Sequence, residues 1–195
     1  DLWQDGGPVS RVKDSGASLL LVLNGSPYER NKDDVRHALV QKRAIQANCA
    51  LAYVNMVGGQ DDLVFDGDSI VVSPAGEILA RANQFVDELL VVDVPVRPAG
   101  TNLQLATGEK VIVLDTKVGS AKQPISTSVH TQLPEYEELY SALVLSLRDY
   151  VGKNGFKSVL FGLSGGIDSA LVAAIACDAV GPERVFAISL PSQYS

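Results

Sequence analysis

The chain has 195 residues, 46% of them hydrophobic and 20% charged, which is enough apolar material for one good core or two smaller ones and argues against a disordered chain. Its formal net charge is −7 and no run of Lys and Arg offsets it, so a nucleic-acid or anionic-lipid partner is not expected. The two cysteines, Cys49 and Cys177, fit neither a metal knuckle nor a disulfide framework and read as buried thiols of a cytoplasmic protein; the longest apolar runs fall short of a membrane span, and no leader opens the chain.

In chain order, residues 18–24 form a continuous apolar run that predicts a strand covered on both faces. Residues 33–48 predict a helix, with Val35, Ala38, Leu39 and Ile45 at helical spacing, and residues 50–55 predict a second strand. Strand, helix, strand in that order indicates a layered α/β structure. Short strands are then expected at 63–65, 69–72, 77–81 and 88–94, punctuated by Asp66-Gly67 and by Ser73-Pro74-Ala75-Gly76, as a run of hairpins closing a sheet.

Residues 96–132 carry Pro98, Gly100, Gly119, Pro124 and a Ser-Thr-Ser cluster around one small strand candidate at 110–115, and read as a linker between a unit at 1–95 and another at 133–195. Pro134 suits the first turn of a helix that continues through Leu139, Leu143, Leu147 and Val151 and ends at Asn154-Gly155. A buried strand at 158–163, a helix at 168–180 closed by Gly181-Pro182, and a strand at 184–190 complete a β-loop-α-β unit.

The loop of that unit, Ser164-Gly165-Gly166-Ile167-Asp168-Ser169, carries the chemistry. A strand that enters a glycine pair and then a helix N-terminus converges backbone N–H groups and the positive end of the helix dipole on one spot, which suits phosphate. The Ser164 and Ser169 hydroxyls add donors. Asp168 beside a phosphate nest is repulsive unless a cation lies between them, so it predicts a magnesium ion bridging carboxylate and phosphate. The loop lacks the Lys of the GxxxxGK[ST] pattern, which separates it from the P-loop NTPases.

Ser-Gly-Gly-Ile-Asp-Ser after an apolar strand resembles the pyrophosphatase loop of the N-type ATP pyrophosphatases, a group that includes NAD, GMP, asparagine and argininosuccinate synthetases. The flanking Leu147-Arg148-Asp149-Tyr150-Val151, Lys153-Asn154-Gly155-Phe156 and Ser192-Gln193-Tyr194-Ser195 resemble the opening of an NAD synthetase domain, with a Rossmann-like parallel sheet. That resemblance implies ATP held by Ser164, Gly165, Gly166, Asp168 and Ser169, magnesium at Asp168, and the adenine near Ser189 and Leu190.

In the first half, Asp1-Leu2-Trp3, Asn24-Gly25-Ser26-Pro27-Tyr28, Tyr53-Val54-Asn55 and Gly58-Gly59-Gln60-Asp61-Asp62 resemble the C-terminal part of a nitrilase-type α-β-β-α amidase. The order of the two halves is that of the glutamine-dependent NAD synthetases, in which such an amidase supplies ammonia to the synthetase. The resemblance implies a Cys, Glu and Lys triad lying outside this chain, with the nucleophile two positions before Asp1. It also implies glutamine contacts at Trp3, Ser26 and Tyr28, and assembly as a homo-oligomer. The substrates it implies are nicotinic acid adenine dinucleotide, ATP and glutamine.

Several residues read as structural. Lys32 or Arg30 could pair with a glutamine carboxylate, but a solvated charge is the expected reading for each. His37 and His130 lack a second ligand at metal spacing, and the acidic pairs Asp61-Asp62 and Glu137-Glu138 suit a turn and a helix's first turns. Two other assignments compete: a GMP-synthetase-like amidotransferase, whose glutaminase has a different fold, and a non-catalytic nitrilase-like module fused to a nucleotide sensor.

Overall fold

The computed structural model describes residues 2–30, 32–96 and 123–189. The expected strand at 110–115, and Leu190 with the 192–195 segment, lie outside the described residues.

The chain opens with helix α1 (Gly7–Ser15), which the sequence reading passed over. Pro8 occupies its first turn and Gly16 closes it at φ 70°, donating its N–H to the Lys13 carbonyl. Strand β1 (Leu19–Asn24), helix α2 (Lys32–Ala47) and strand β2 (Ala50–Asn55) follow, with β1 and β2 parallel from Leu19 opposite Ala50 to Asn24 opposite Asn55. Strands β3 (Val57–Gln60) and β4 (Leu63–Asp66) form a separate antiparallel hairpin, turning at Asp61-Asp62. Strands β5 (Ile70–Val72) and β6 (Ile78–Arg81) return to the first sheet, whose order is β1-β2-β5-β6.

The inner face of α2 differs from the expected one. Val35 and Ile45 are exposed, Ala38 faces out and Leu39 is half-buried, whereas Arg36, Val40, Arg43, Ala44 and Ala47 point inward. Two arginines take core positions because each meets acceptors there, so a hydrophobicity pattern that scores Arg as polar places the helix about one residue out of phase. The core of this half joins Leu2 and Val9 to Val40, Ala44, Ala47, Cys49, Leu51, Tyr53, Ile70 and Val72.

Strand β1 is not covered on both faces: Leu21 is 64% and Leu23 82% exposed, and nothing among the described residues packs over them. Residues 88–94 are not a strand. The edge of β6 they would have joined is occupied by 128–130, with Arg81 N–H donating to the Ser128 carbonyl (3.2 Å) and His130 N–H to the Arg81 carbonyl (3.2 Å). The segment instead turns away, Glu88 accepting from the Asn83 backbone N–H (2.8 Å).

Helix α3 (Glu135–Lys153) begins after Pro134 and ends at Asn154, Gly155 following in the left-handed region at φ 71°. Strand β7 (Val159–Leu163), helix α4 (Ile167–Val180), a 3₁₀ turn (Pro182–Arg184) and strand β8 (Val185–Ser189) build the β-loop-α-β unit, with β7 and β8 parallel. β7 is less buried than its apolar sequence implies, Leu160 being 65% exposed, because among the described residues its main neighbours are α4 and β8. Cys177 on α4 is half-buried, whereas Cys49 is fully buried.

Candidate functional site

The loop between β7 and α4 lies at the C-terminal ends of two parallel strands, the edge at which open α/β sheets take their ligands. Gly165 has φ +85°, a conformation in which any other residue is strained, and a Cβ there would meet nothing within 4 Å. Gly166 is the N-cap of α4 in extended conformation, so the chain passes from tight turn to helix in two residues. The Ser164 and Ser169 hydroxyls lie 3.2 Å apart, and Ser169 Oγ also donates to the Gly166 carbonyl (2.9 Å) while accepting from the Ser164 N–H (3.3 Å). Two hydroxyls, an exposed glycine turn and the first N–H groups of α4 thus face one another with no fixed positive charge.

Asp168 lies in the first turn of α4 and is exposed. Among the described residues no cluster of three or more His, Cys, Asp or Glu could hold a metal by itself. One carboxylate at the rim of a phosphate nest nevertheless fits magnesium, which is commonly held by one or two carboxylates plus substrate phosphates and water. Ser189 pairs with Leu163, the residue just before the loop, so the parallel register brings it to the loop's edge.

In the other half, three of the residues singled out from the sequence come from two separate segments. Arg43, buried under α1, donates from Nε to the Leu2 carbonyl (2.8 Å), from Nη2 to the Gln4 carbonyl (2.7 Å) and from Nη1 to Asp5 Oδ1 (2.9 Å). That grip fixes the segment carrying Trp3. Lys32 Nζ stands 5.7 Å from the Trp3 ring centroid and donates to the Pro27 carbonyl (3.2 Å) and to Glu29 Oε1 (2.6 Å). With 19% side-chain exposure, Lys32 is not the solvated charge that its sequence context implied. Arg30 pairs with Glu135 of α3 through Nε at 2.6 Å.

Ser26 is buried, and Asn55 at the end of β2 holds its backbone from both sides: the Ser26 N–H donates to Asn55 Oδ1 (2.8 Å) and Asn55 Nδ2 to the Ser26 carbonyl (3.2 Å). Asn55 Nδ2 also lies 3.3 Å from Asp66 Oδ1, and Asp66 accepts both carboxylate contacts from Arg36 Nη2, at 3.1 and 2.9 Å. Beside it, Asp68 takes His37 Nε2 at 2.8 Å and Arg81 Nε at 2.6 Å. Burial pushes the Asp68 carboxyl up, but the hydrogen bonds and charges of His37 and Arg81 outweigh it and hold the group below its ordinary 3.8. Nothing in the local sequence marks Asp66, Asp68 and Arg36 as buried; Asp66-Gly67 reads as a turn, and the charges meet only across some thirty residues.

Tyr28 leaves Ser26 in the other direction. Its ring packs edge-on against Phe85 (5.3 Å between centroids) in a cluster with Ala142 and Leu145 of α3, and its N–H donates to the Val64 carbonyl (2.7 Å). The two halves therefore share a small apolar core, and the glutamine contact expected at Tyr28 falls on a residue that also joins them.

Fold and site together define an α/β protein in which a β-loop-α-β unit with a glycine turn at a helix N-terminus is joined to a mixed sheet with a buried charge network. The carbon-nitrogen hydrolase family model matches residues 6–100 and the NAD synthase family model residues 139–195. Among curated relatives, the glutamine-dependent NAD(+) synthetase of Aquifex aeolicus is 43% identical over all of this chain and 36% of its own length. That of Xanthomonas campestris is 43% identical over all of this chain and 31% of its own. The solved glutamine-dependent NAD+ synthetase of Acinetobacter baumannii in complex with ADP superposes with a TM-score of 0.73 at 37% identity, over 96% of this chain and 31% of that one. The chain thus carries a segment similar to carbon-nitrogen hydrolases followed by one similar to NAD synthases, the order found in these relatives, and it spans about a third of the length of the curated relatives it matches.

Proposed function

We propose that the whole protein converts nicotinic acid adenine dinucleotide to NAD, using ATP to adenylate the nicotinate carboxylate and ammonia from glutamine to displace AMP. The single observation that carries the reading is the conjunction, in one chain, of the Ser164–Ser169 phosphate loop with a carbon-nitrogen hydrolase segment. Neither half alone implies ammonia transfer to an activated acid; both in this order do.

In this reading the N–H groups at Gly165, Gly166 and the start of α4, with the Ser164 and Ser169 hydroxyls, hold the β- and γ-phosphates. Binding costs the contact between the two hydroxyls and replaces it with charge-assisted hydrogen bonds to phosphate oxygens, about twice as strong as neutral ones. Magnesium held at Asp168 would supply charge neutralisation between carboxylate and phosphate, and Ser189 with Leu190 would lie beside the adenine. Glutamine would sit where Trp3, Ser26 and Lys32 converge, its carboxylate facing the Lys32 ammonium, with Tyr28 bounding the loop. The thiolate that attacks it belongs two positions before Asp1. The protein would work in the cytoplasm as a homo-oligomer, a unit at 1–95 acting on glutamine and a unit at 133–195 on ATP.

The test is NAD formation by the complete protein from nicotinic acid adenine dinucleotide, ATP and magnesium, fed in parallel with glutamine or with ammonium. Turnover with both supports the reading. Turnover with ammonium alone removes the glutaminase, and no NAD from either source leaves only the phosphate loop.

A further inference from the structure

Among the described residues strand β3 has a strand neighbour on one side only, β4, and its other edge faces α3. An unpaired strand edge leaves N–H and C=O groups to be satisfied. At Gly59 the helix supplies both partners: the N–H donates to Asp149 Oδ2 (2.8 Å) and the carbonyl accepts from Lys153 Nζ. Asp149 and Lys153 stand four residues apart on one face of α3 and pair with each other at 3.2 Å. One carboxylate and one ammonium thus take the place of a missing strand.

Close approach is built into the backbone. A Cβ on Gly59 would stand 3.1 Å from Ser146 Cα and 3.2 Å from Asp149 Cβ, and the first of these is main chain that moves only with the helix. Gly58, at φ +129°, would carry a Cβ 2.8 Å from Asp149 Oδ2. The Gly58-Gly59 pair is a docking strip for α3.

From this clip a path leads to each site. Gly59 is four residues beyond Asn55, whose side chain holds the Ser26 backbone from both sides. In the other direction Val144 and Val151 of α3 pack against Ala179 and Val180 in the last turn of α4, and the 14 residues of that helix lead back to the Ser164–Ser169 loop at its N-terminus. Strand β3 and helices α3 and α4 therefore join the Ser26 loop to the Ser164–Ser169 loop, with the Gly59 clip as the polar contact between β3 and α3.

We propose that Asp149 and Lys153, acting through Gly59, are positioning residues that couple glutamine use at the first site to amide formation at the second. The inference rests on the function proposed above. Neither side chain touches substrate in this arrangement; each acts by holding β3 in register with α3.

The test uses the complete protein with Asp149→Ala, Lys153→Met and the double variant. NAD formation is measured with saturating ammonium and with glutamine, together with glutamate released per NAD formed. The expected result is ammonium-fed turnover within about twofold of the unaltered protein, and glutamine-fed NAD formation lower by about tenfold, within the usual range of coupling between sites. Glutamate released per NAD should rise. Because one clip is removed in every case, the double variant should be no worse than the more damaging single one. Equal loss with ammonium and glutamine would assign the pair a purely structural role, and no change in either would remove it from function; each overturns the proposal. If the unaltered protein makes no NAD from either nitrogen source, the functional reading itself fails and takes the coupling with it.

Discussion

At the scale of single residues, the first half rests on charges buried where a hydrophobic pattern expects apolar side chains. Arg36 and Asp66 are both fully buried and bonded to each other, and Asn55 extends that pair to the Ser26 backbone. Arg36→Met leaves the Asp66 carboxylate without its cation, and the expected loss is about 3–5 kcal/mol, the usual cost of removing one partner of a buried pair. It should appear as a lower urea midpoint for the unfolding transition of the first half.

Asp68 adds a pH dependence with a definite sign. Its carboxyl sits below 3.8 in the folded protein, so the folded state releases this proton more readily than the unfolded chain does. The stabilisation is complete above the unfolded value near 3.8 and is lost as pH falls through the lower folded value. Urea midpoints measured across this acid range should fall less steeply in Asp68→Asn than in the parent, from a lower starting stability.

At the scale of elements, the β7-loop-α4 unit was legible because its signals are local. An apolar strand, a glycine pair and a helix N-terminus are contiguous in sequence, and the positive φ of Gly165 is what a glycine at that turn is for. Gly165→Ala meets no atom within 4 Å, so its cost is backbone strain alone, about 1 kcal/mol, and ATP affinity should fall modestly while the fold is retained. Asp168→Asn separates charge from shape: equilibrium binding should show ATP affinity losing most of its dependence on magnesium. Affinity for ATP without magnesium should hold or rise, since a repulsive carboxylate has gone.

Helix α2 and residues 88–94 show why other elements were misread. The α2 stripe was out of phase because Arg36 and Arg43 earn their inner positions from acceptors far away in sequence, at Asp66 and at residues 2–5. The strand expected at 88–94 has apolar, β-branched residues, but residues 128–130 already occupy the edge of β6. Propensity describes a segment; pairing needs a free edge.

At the scale of the whole molecule, large apolar side chains are exposed on both units, Leu21 and Leu23 among those of the first, and on the second they cover β7, α4 and β8. Leu160, Ile167, Phe186 and Ile188 are each between 47% and 81% exposed, and Leu171 and Val172 on α4 add to them. A helix apolar on all sides and a two-stranded parallel sheet need covering elements. Residues 1–195 expressed alone should therefore bind a hydrophobic dye such as ANS and unfold at lower denaturant than the complete protein. Equal dye binding by the two would mean that this surface stays open in the complete protein as well.

By itself the sequence determined the strand, glycine turn and helix around residues 164–169, the families to which the two halves point and their order along the chain, because these rest on contiguous residues whose chemistry does not depend on distant neighbours. Only the tertiary structure decided that Arg36 and Arg43 face inward, that Lys32 stands over Trp3, that Tyr28 lies between the halves and that Gly59 is held by Asp149 and Lys153. Each of those contacts joins a donor to an acceptor or a ring on a separate segment, and such a pairing is written in no local pattern. It is decided by which groups would otherwise be buried without a partner.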